Sequence, residues 1–179
     1  MYKEIYLLKS KFLAYLGIET PDPSFGKILL SLHRGKSVLK NWKEIKFSWT
    51  NENLKKCDFP FIDGFIPVIS QKAYDVLHPL TQNDAEYLPI NVDGERFYIM
   101  NVLKVYPKIV NLKDSHDEHY TFYPTPNLAS IFKIEEQFTP LFVTAEIKNA
   151  IEKTNLIGYK FIKCQIKERG FLGKLFGTK

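Results

Sequence analysis

At 179 residues, with 45% apolar and 25% charged side chains, the chain is long enough to bury one sizeable core and has the composition of a soluble globular domain. No run approaches the ~18 apolar residues that a membrane-spanning helix needs, and Cys57 and Cys164 fit no metal or redox spacing. The net charge of +5 is unevenly placed: residues 160–179 carry six Lys/Arg and one Glu, so the first 159 residues sum to zero. A nucleic-acid surface needs a broad basic face interleaved with stacking aromatics. Here the excess sits on a C-terminal strand and tail, and no nucleic-acid partner is expected.

In chain order, Glu4, Lys9 and Lys11 interrupt the apolar N-terminus, which has no small-residue cleavage site. A secretory signal is therefore not expected, and the chain reads as cytoplasmic with two free thiols. Residues 5–8 form a first strand. Residues 20–24 (TPDPS) form a loop, because Pro21 and Pro23 remove donors and disfavour helix before them. Residues 44–49 alternate, with Ile45, Phe47 and Trp49 on one face, as in a half-buried strand. Trp42 and Trp49 are expected in the core or on a sheet face.

Residues 66–69 make a short apolar strand that hands over to a helix capped by Ser70. Ile69 and Tyr74 occupy the two positions of a hydrophobic staple. Ala73, Val76, Leu77 and Leu80 give one buried stripe, and Pro79 predicts an end to regular helix near His78. Asp93-Gly94 is the strongest local signal, since both residues tolerate the positive φ of a type I′ hairpin turn. Folding there sets Leu88 opposite Ile99 and Ile90 opposite Phe97 on one face. Tyr87 with Met100, and Asn91 with Arg96, fall on the other.

Residues 111–127 are polar and proline-bearing and read as one long loop. Strands follow at residues 131–134 and 141–143, then a helix from a Thr144 cap to about Thr154, with Ile147, Ala150 and Ile151 inward. Ile162, Cys164 and Ile166 alternate along a last strand. Residues 67–80 and 140–155 echo one another: proline, apolar strand, Ser or Thr cap, amphipathic helix. Two copies do not make a solenoid.

The ligand-type residues cluster at Asp114, His116, Asp117, Glu118 and His119. A zinc site needs three or four ligands in fixed geometry, and this segment reads as a solvated loop, so neither metal nor cofactor is expected. Its acidic density also makes it a candidate protein-contacting surface. Asn91, Arg96 and Tyr98, beside the hairpin turn, form a second candidate. In the tail at residues 170–179, Phe171, Leu172, Leu175 and Phe176 share one helical side, while Gly170, Gly173 and Gly177 each weaken helix by roughly 1 kcal/mol. So short a segment binds membranes marginally. It is expected to dock on the body or on a partner, and deletion beyond Arg169 should leave the fold intact.

DFP at residues 58–60, PVIS and KAYDVL within 67–77, YLPI and ERFYIMNV within 87–102, IFKI at 131–134 and LFVTAEIKNAIEKTNLIGYKF at 141–161 occur in an order that resembles the eleventh immunity-protein family of bacterial polymorphic toxin systems. The resemblance spans roughly residues 42–161. It implies a small cytoplasmic protein, encoded beside a toxin, that binds the toxin and blocks it without catalytic residues. Such an interface buries roughly 800 Å² on each partner around aromatic anchors. The fold expected is α+β: one domain over residues 1–179, a mostly antiparallel sheet with two principal helices packed against it. The leading function is toxin neutralisation by a monomer or weak homodimer, with no membrane partner and no enzymatic activity. The alternatives are a hydrolytic or metal-assisted enzyme near His116 and His119, and a phage-derived or regulatory interaction module.

Overall fold

The computed structural model describes residues 4–11, 14–20, 22–50, 54–62, 66–115 and 118–168, without the Phe138 side chain. The tail at residues 170–179, His116 and Asp117 lie outside the described residues. The strands are β1 (Ile5–Ser10), β2 (Ile18–Glu19), β3 (Ile45–Trp49), β4 (Phe61–Ile62), β5 (Ile66–Ser70), β6 (Ala85–Val92), β7 (Glu95–Val102), β8 (Val105–Tyr106), β9 (Thr121–Phe122), β10 (Ile131–Ile134), β11 (Gln137–Thr144), β12 (Tyr159–Lys163) and β13 (Gln165–Ile166). The helices are α1 (Ser24–His33), α2 (Gln71–Thr81) and α3 (Ala145–Lys153). Among the described residues no helix is long and apolar enough to cross a membrane.

The class is α+β, but the arrangement differs from two helices on one sheet. Strands divide into a sheet of order β12-β1-β11-β10-β8, a sheet of order β2-β3-β6-β7-β5-β4 and a β13-β9 pair, which together approach a barrel. Most pairings are antiparallel; β3–β6, β8–β10 and β9–β13 are parallel.

The third helix, α1, begins where the prolines suggested only loop. The Asp22 carboxylate accepts from the Ser24 amide at 2.8 Å, and Phe25 and Leu32 seat against the second sheet beside Phe47, Ile90 and Phe97. Gly35 ends the helix at φ +62, and a Cβ there would lie 2.7 Å from the Val102 carbonyl. A side chain would therefore prise α1 off β7.

The hairpin folds as its sequence requires. Asp93 and Gly94 have φ of 47 and 90, and the pairs Leu88–Ile99, Ile90–Phe97, Tyr87–Met100 and Asn91–Arg96 all form. Alternate residues serve two cores. Leu88, Ile90, Phe97 and Ile99 pack under α1, whereas Tyr87, Met100 and Val102 join Leu8, Ile131, Leu141 and Val143 beneath α2 and α3. The first sheet is likewise buried on its outer face, where Leu7, Phe132 and Phe142 meet Tyr120 and Phe122.

The internal echo is structural. β5 and β6 both run antiparallel to β7, which lies between them, and α2 connects them. β11 and β12 flank β1 in the same way, joined by α3. These are two split βαβ units, and their helices pack on one another.

Three local expectations need correction. α2 continues through Pro79 to Thr81, with Val76 and Leu80 only half-buried. The proline forfeits one bond, to the carbonyl of exposed Asp75, and Thr81 Oγ1 secures the last turn by donating to the Leu77 carbonyl at 2.8 Å. At α3 Thr144 is the N-cap residue, but its buried hydroxyl makes no capping bond. The last strand breaks at Cys164: its amide still reaches the Ile5 carbonyl on β1, while that of Gln165 bonds Tyr120 beside β9, leaving Ile166 exposed.

Asp58 couples the two βαβ units. Its carboxylate accepts from Ser70 Oγ at 2.6 Å and from the Ile157 amide at 2.9 Å. Its own amide bonds the Ile157 carbonyl, and its carbonyl takes the Ser70 amide. Ser70 Oγ in turn accepts from the Ala73 amide and so caps α2. Replacing Asp58 with Ala strips charge-assisted bonds from both units and should lower unfolding free energy by about 3 kcal/mol in denaturant titration. Asp58→Asn, which can still accept from Ser70, should fall between.

Lys133, on β10, is 4% exposed, and its ammonium donates to the Leu32 carbonyl at 2.8 Å at the end of α1. Burial pulls its pKa down from 10.5 to about 8. Between those values the unfolded chain holds more protons, so this group's contribution to stability rises as pH climbs from about 8 to 10.5. Measured by urea unfolding, the wild type should gain up to about 3 kcal/mol on Lys133→Met across that window.

Candidate functional site

Of the residues singled out at 114–119, Asp114 and Glu118 are bound into the scaffold. Asp114 ends a 3-10 turn at Leu112–Asp114, where Asn111 Oδ1 accepts from the Lys113 amide. Beyond the turn the polar stretch contains β9, whose Phe122 is fully buried, so it is not one continuous loop. Glu118 reaches across to the first sheet and accepts from Lys9 on β1 at 2.7 Å and from Lys160 on β12 at 2.7 Å. Hydrogen bonds from Lys160 and then Lys9 pull its pKa down to about 2. Asp114 pairs with Lys167 at 3.2 Å, just past β13. The acidic segment and the basic C-terminal strand, separate features in the sequence, are one another's partners.

Lys163, also on that strand, pairs with Glu4. His119 is exposed and lines a polar cleft of about 610 Å³ with Lys113, Asp114, Tyr120, Lys163 and Lys167. Among the described residues no three His, Cys, Asp or Glu side chains are grouped to hold a metal. His116 and Asp117 are not described, so the expected His116–His119 pairing has no geometry here.

Asn91, Arg96 and Tyr98 do come together. The alternation that sends Phe97 and Ile99 inward turns these three to the opposite face of β6 and β7. Lys46 of β3 lies beside Asn91 in the same sheet. Asn91 is half committed to the turn, its Oδ1 accepting from the Gly94 amide at 2.9 Å. Arg96 lies 3.5 Å from Glu44 and holds its guanidinium 5.9 Å from the Tyr98 ring centre.

From Tyr98 the stack continues onto α2. Tyr98 and Tyr74 stack with centroids 4.2 Å apart, and Tyr74 and His78 stack at 4.9 Å. Buried Tyr87 meets Tyr74 edge-on at 5.1 Å, and Tyr98 Oη donates to Gln71 at 2.7 Å. The result is a fixed ladder from Arg96 to His78 across a strand and a helix. Its rungs are half-buried and its ends reach solvent. Tyr74 and His78, at i and i+4, were legible only as helix positions, since nothing in their spacing says that Tyr98 completes the stack.

Between the two sheets an apolar cleft of about 460 Å³ is lined by Leu8, Phe59, Ile66, Val68, Met100 and Leu141, with Lys9, Ser10 and Tyr120 among its polar members. Lys9 is held by Glu118, and Tyr120 Oη donates to Gln137. Such a lining suits apolar contact rather than proton transfer. Both thiols are buried and free; burial pushes Cys57 up to about 11 and Cys164 up to about 12, so both stay protonated at neutral pH.

The sequence matches none of the models of known protein families, and no curated protein matches it.

The clamp on Glu118 has a measurable consequence. A carboxylate with lowered pKa stabilises the fold above its ordinary value of 4.5 and loses that contribution as pH falls toward about 2. In Lys9→Met/Lys160→Met the Glu118 midpoint, followed by NMR, should climb back toward 4.5. A midpoint unmoved in the double variant would show that the two ammonium groups do not set it.

Proposed function

We propose that this chain neutralises a cognate bacterial toxin by direct protein–protein contact, as expected of an immunity protein. The observation that carries the reading is the ladder Arg96–Tyr98–Tyr74–His78, with Asn91 and Lys46 beside it. Arg and Tyr are the residue types that dominate binding energy at protein interfaces. Rings already stacked lose little further rotamer freedom on binding, so more of the contact energy appears as affinity. The ordered sequence pieces that resemble an immunity family support the same conclusion. Two of them, YLPI and ERFYIMNV, supply the hairpin that presents Asn91, Arg96 and Tyr98.

The acidic segment has a different part in this reading. Glu118 and Asp114 hold the scaffold to its C-terminal strand. Loss of protection in a triple Ala variant of Asp114, Asp117 and Glu118 would therefore have to be separated from loss of stability. Arg96, exposed beside the hairpin turn, can be changed with little effect on either core, whereas Tyr98 packs on Tyr74 and against the core beneath α2, so its removal also costs packing.

The test is co-expression of this chain with the toxin encoded beside it, together with a binding measurement on the purified pair. Tyr98→Ala and Arg96→Ala should each weaken the complex about thirty-fold, as hot-spot truncations do, and lower protection. Arg96→Ala should keep a melting temperature near wild type, and Tyr98→Ala, which also loses the Tyr74 stack, should melt lower but keep the wild-type circular dichroism. Full protection and unchanged affinity in Arg96→Ala/Tyr98→Ala would move the interface elsewhere. No protection by the wild-type chain would end the neutralisation reading itself.

A further inference from the structure

Residues 24–43 carry five cations, Lys27, Arg34, Lys36, Lys40 and Lys43, and no aspartate or glutamate. The zero sum over the first 159 residues conceals this, because the rest of that stretch holds a matching acidic excess. The segment forms α1 and a 3-10 turn at Leu39–Asn41. Both press on the same sheet face, since Phe25 and Leu32 of α1 share one core with Val38 and Trp42 around the turn. Side chains pointing away from that core therefore emerge on one side of the molecule.

Lys27 and Leu30 lie at i and i+3 on the outer stripe of α1, Arg34 follows as its C-cap residue, and Lys36, Leu39, Lys40 and Lys43 continue the layer; all are exposed. Leu30 is 57% and Leu39 51% exposed, the two most exposed large apolar side chains among the described residues. None of the five cations makes an ion pair with a described carboxylate, whereas Lys160, Lys163 and Lys167 each do. Glu86, which touches the segment, is occupied by Ser37 Oγ, the Val38 amide and Asn101, and Glu44, next to Lys43, pairs with Arg96. Trp42 is held inward by its indole N–H, which donates to the Pro89 carbonyl at 2.9 Å.

This chemistry selects among anionic partners. Protein interface cores are poor in Lys and rich in aromatics, yet here four of the five cations are Lys and the only aromatic of the turn faces the core. Single-stranded nucleic acid needs exposed rings for base stacking. An anionic bilayer needs clustered Lys/Arg on an amphipathic element and aliphatic side chains to enter the headgroup boundary.

We propose that the α1 layer is a docking surface for anionic phospholipid membranes, with Leu30 and Leu39 entering the interface and Lys27, Arg34, Lys36, Lys40 and Lys43 over the headgroups. This face lies on the opposite side of the second sheet from Arg96 and Tyr98, so the proposal is independent of the toxin reading. It asks for a peripheral, salt-sensitive attachment, strengthened by each leucine that enters the boundary.

The experiment is co-sedimentation of the full-length chain with vesicles of phosphatidylcholine containing about one-third phosphatidylserine, beside vesicles of phosphatidylcholine alone. The wild type should pellet with the anionic vesicles only and be released by raised salt. Lys27→Glu/Lys40→Glu should weaken binding at least about tenfold, and Leu30→Ser/Leu39→Ser should weaken it with less change in salt dependence; circular dichroism of both should match wild type. A chain ending at Glu168 should still bind. No preference for the anionic vesicles would overturn the proposal, as would binding that survives both double variants or vanishes with the truncation.

Discussion

Asp58 is the point at which two similar halves become one fold. The Asp58 carboxylate binds one group from each split βαβ unit: the Ser70 hydroxyl that caps α2 and the amide of Ile157 in the link from α3 to β12. The approach of the two segments needs Gly158 beside it. A Cβ there would sit 2.6 Å from the Cys57 sulfur, and its φ of +98 suits glycine. A charged hydrogen bond between units also fixes their register, which apolar packing between α2 and α3 tolerates in several arrangements. Within the first unit, β5 pairs with β7 so that Ile69 lies opposite Tyr98, and the Ser70 cap starts α2 at the next residue, which brings Tyr74 to Tyr98.

What was legible in the sequence was local. The β6–β7 hairpin formed pair for pair because Asp93-Gly94 fixes the turn, and one turn of known type fixes every cross-strand neighbour. α3 ended where expected because its apolar spacing and terminal charges agree. α1 was hidden by its own start: two prolines and Gly26 argue against helix, and the run ILLSL has no clean period. Only the apolar face of the second sheet, assembled from strands distant in sequence, decides that Phe25 and Leu32 be buried together. β9 escaped for a similar reason, since two residues carry no periodicity and their parallel partner β13 lies more than forty positions on.

Charge shows the same division between local and long-range information. Summed along the chain it pointed to a basic tail and an acidic loop as separate exposed features. In space Glu118 and Asp114 neutralise Lys160 and Lys167, and Glu118 also draws in Lys9. Pairs this exposed contribute little stability each, but Glu118 joins β1, β12 and the approach to β9 in one network. The sum over the first 159 residues concealed the opposite case, a run of cations in α1 and the following turn that no described carboxylate answers.

The surfaces left for partners follow from that accounting of neighbours. Where cations and carboxylates meet within the fold, an incoming protein must first break existing pairs, which reduces what it gains. The two faces of the second sheet differ in this respect. On one, Arg96 is held only loosely by Glu44 at 3.5 Å, and its rigid aromatic neighbours present geometry rather than charge. On the other, α1 presents charge with little geometry, on lysine stems that rotate freely. A surface of the first kind discriminates between partners by shape, and one of the second kind responds to net potential at range. Because β6 and β7 lie between them and are packed on both sides, the two faces can be occupied at once.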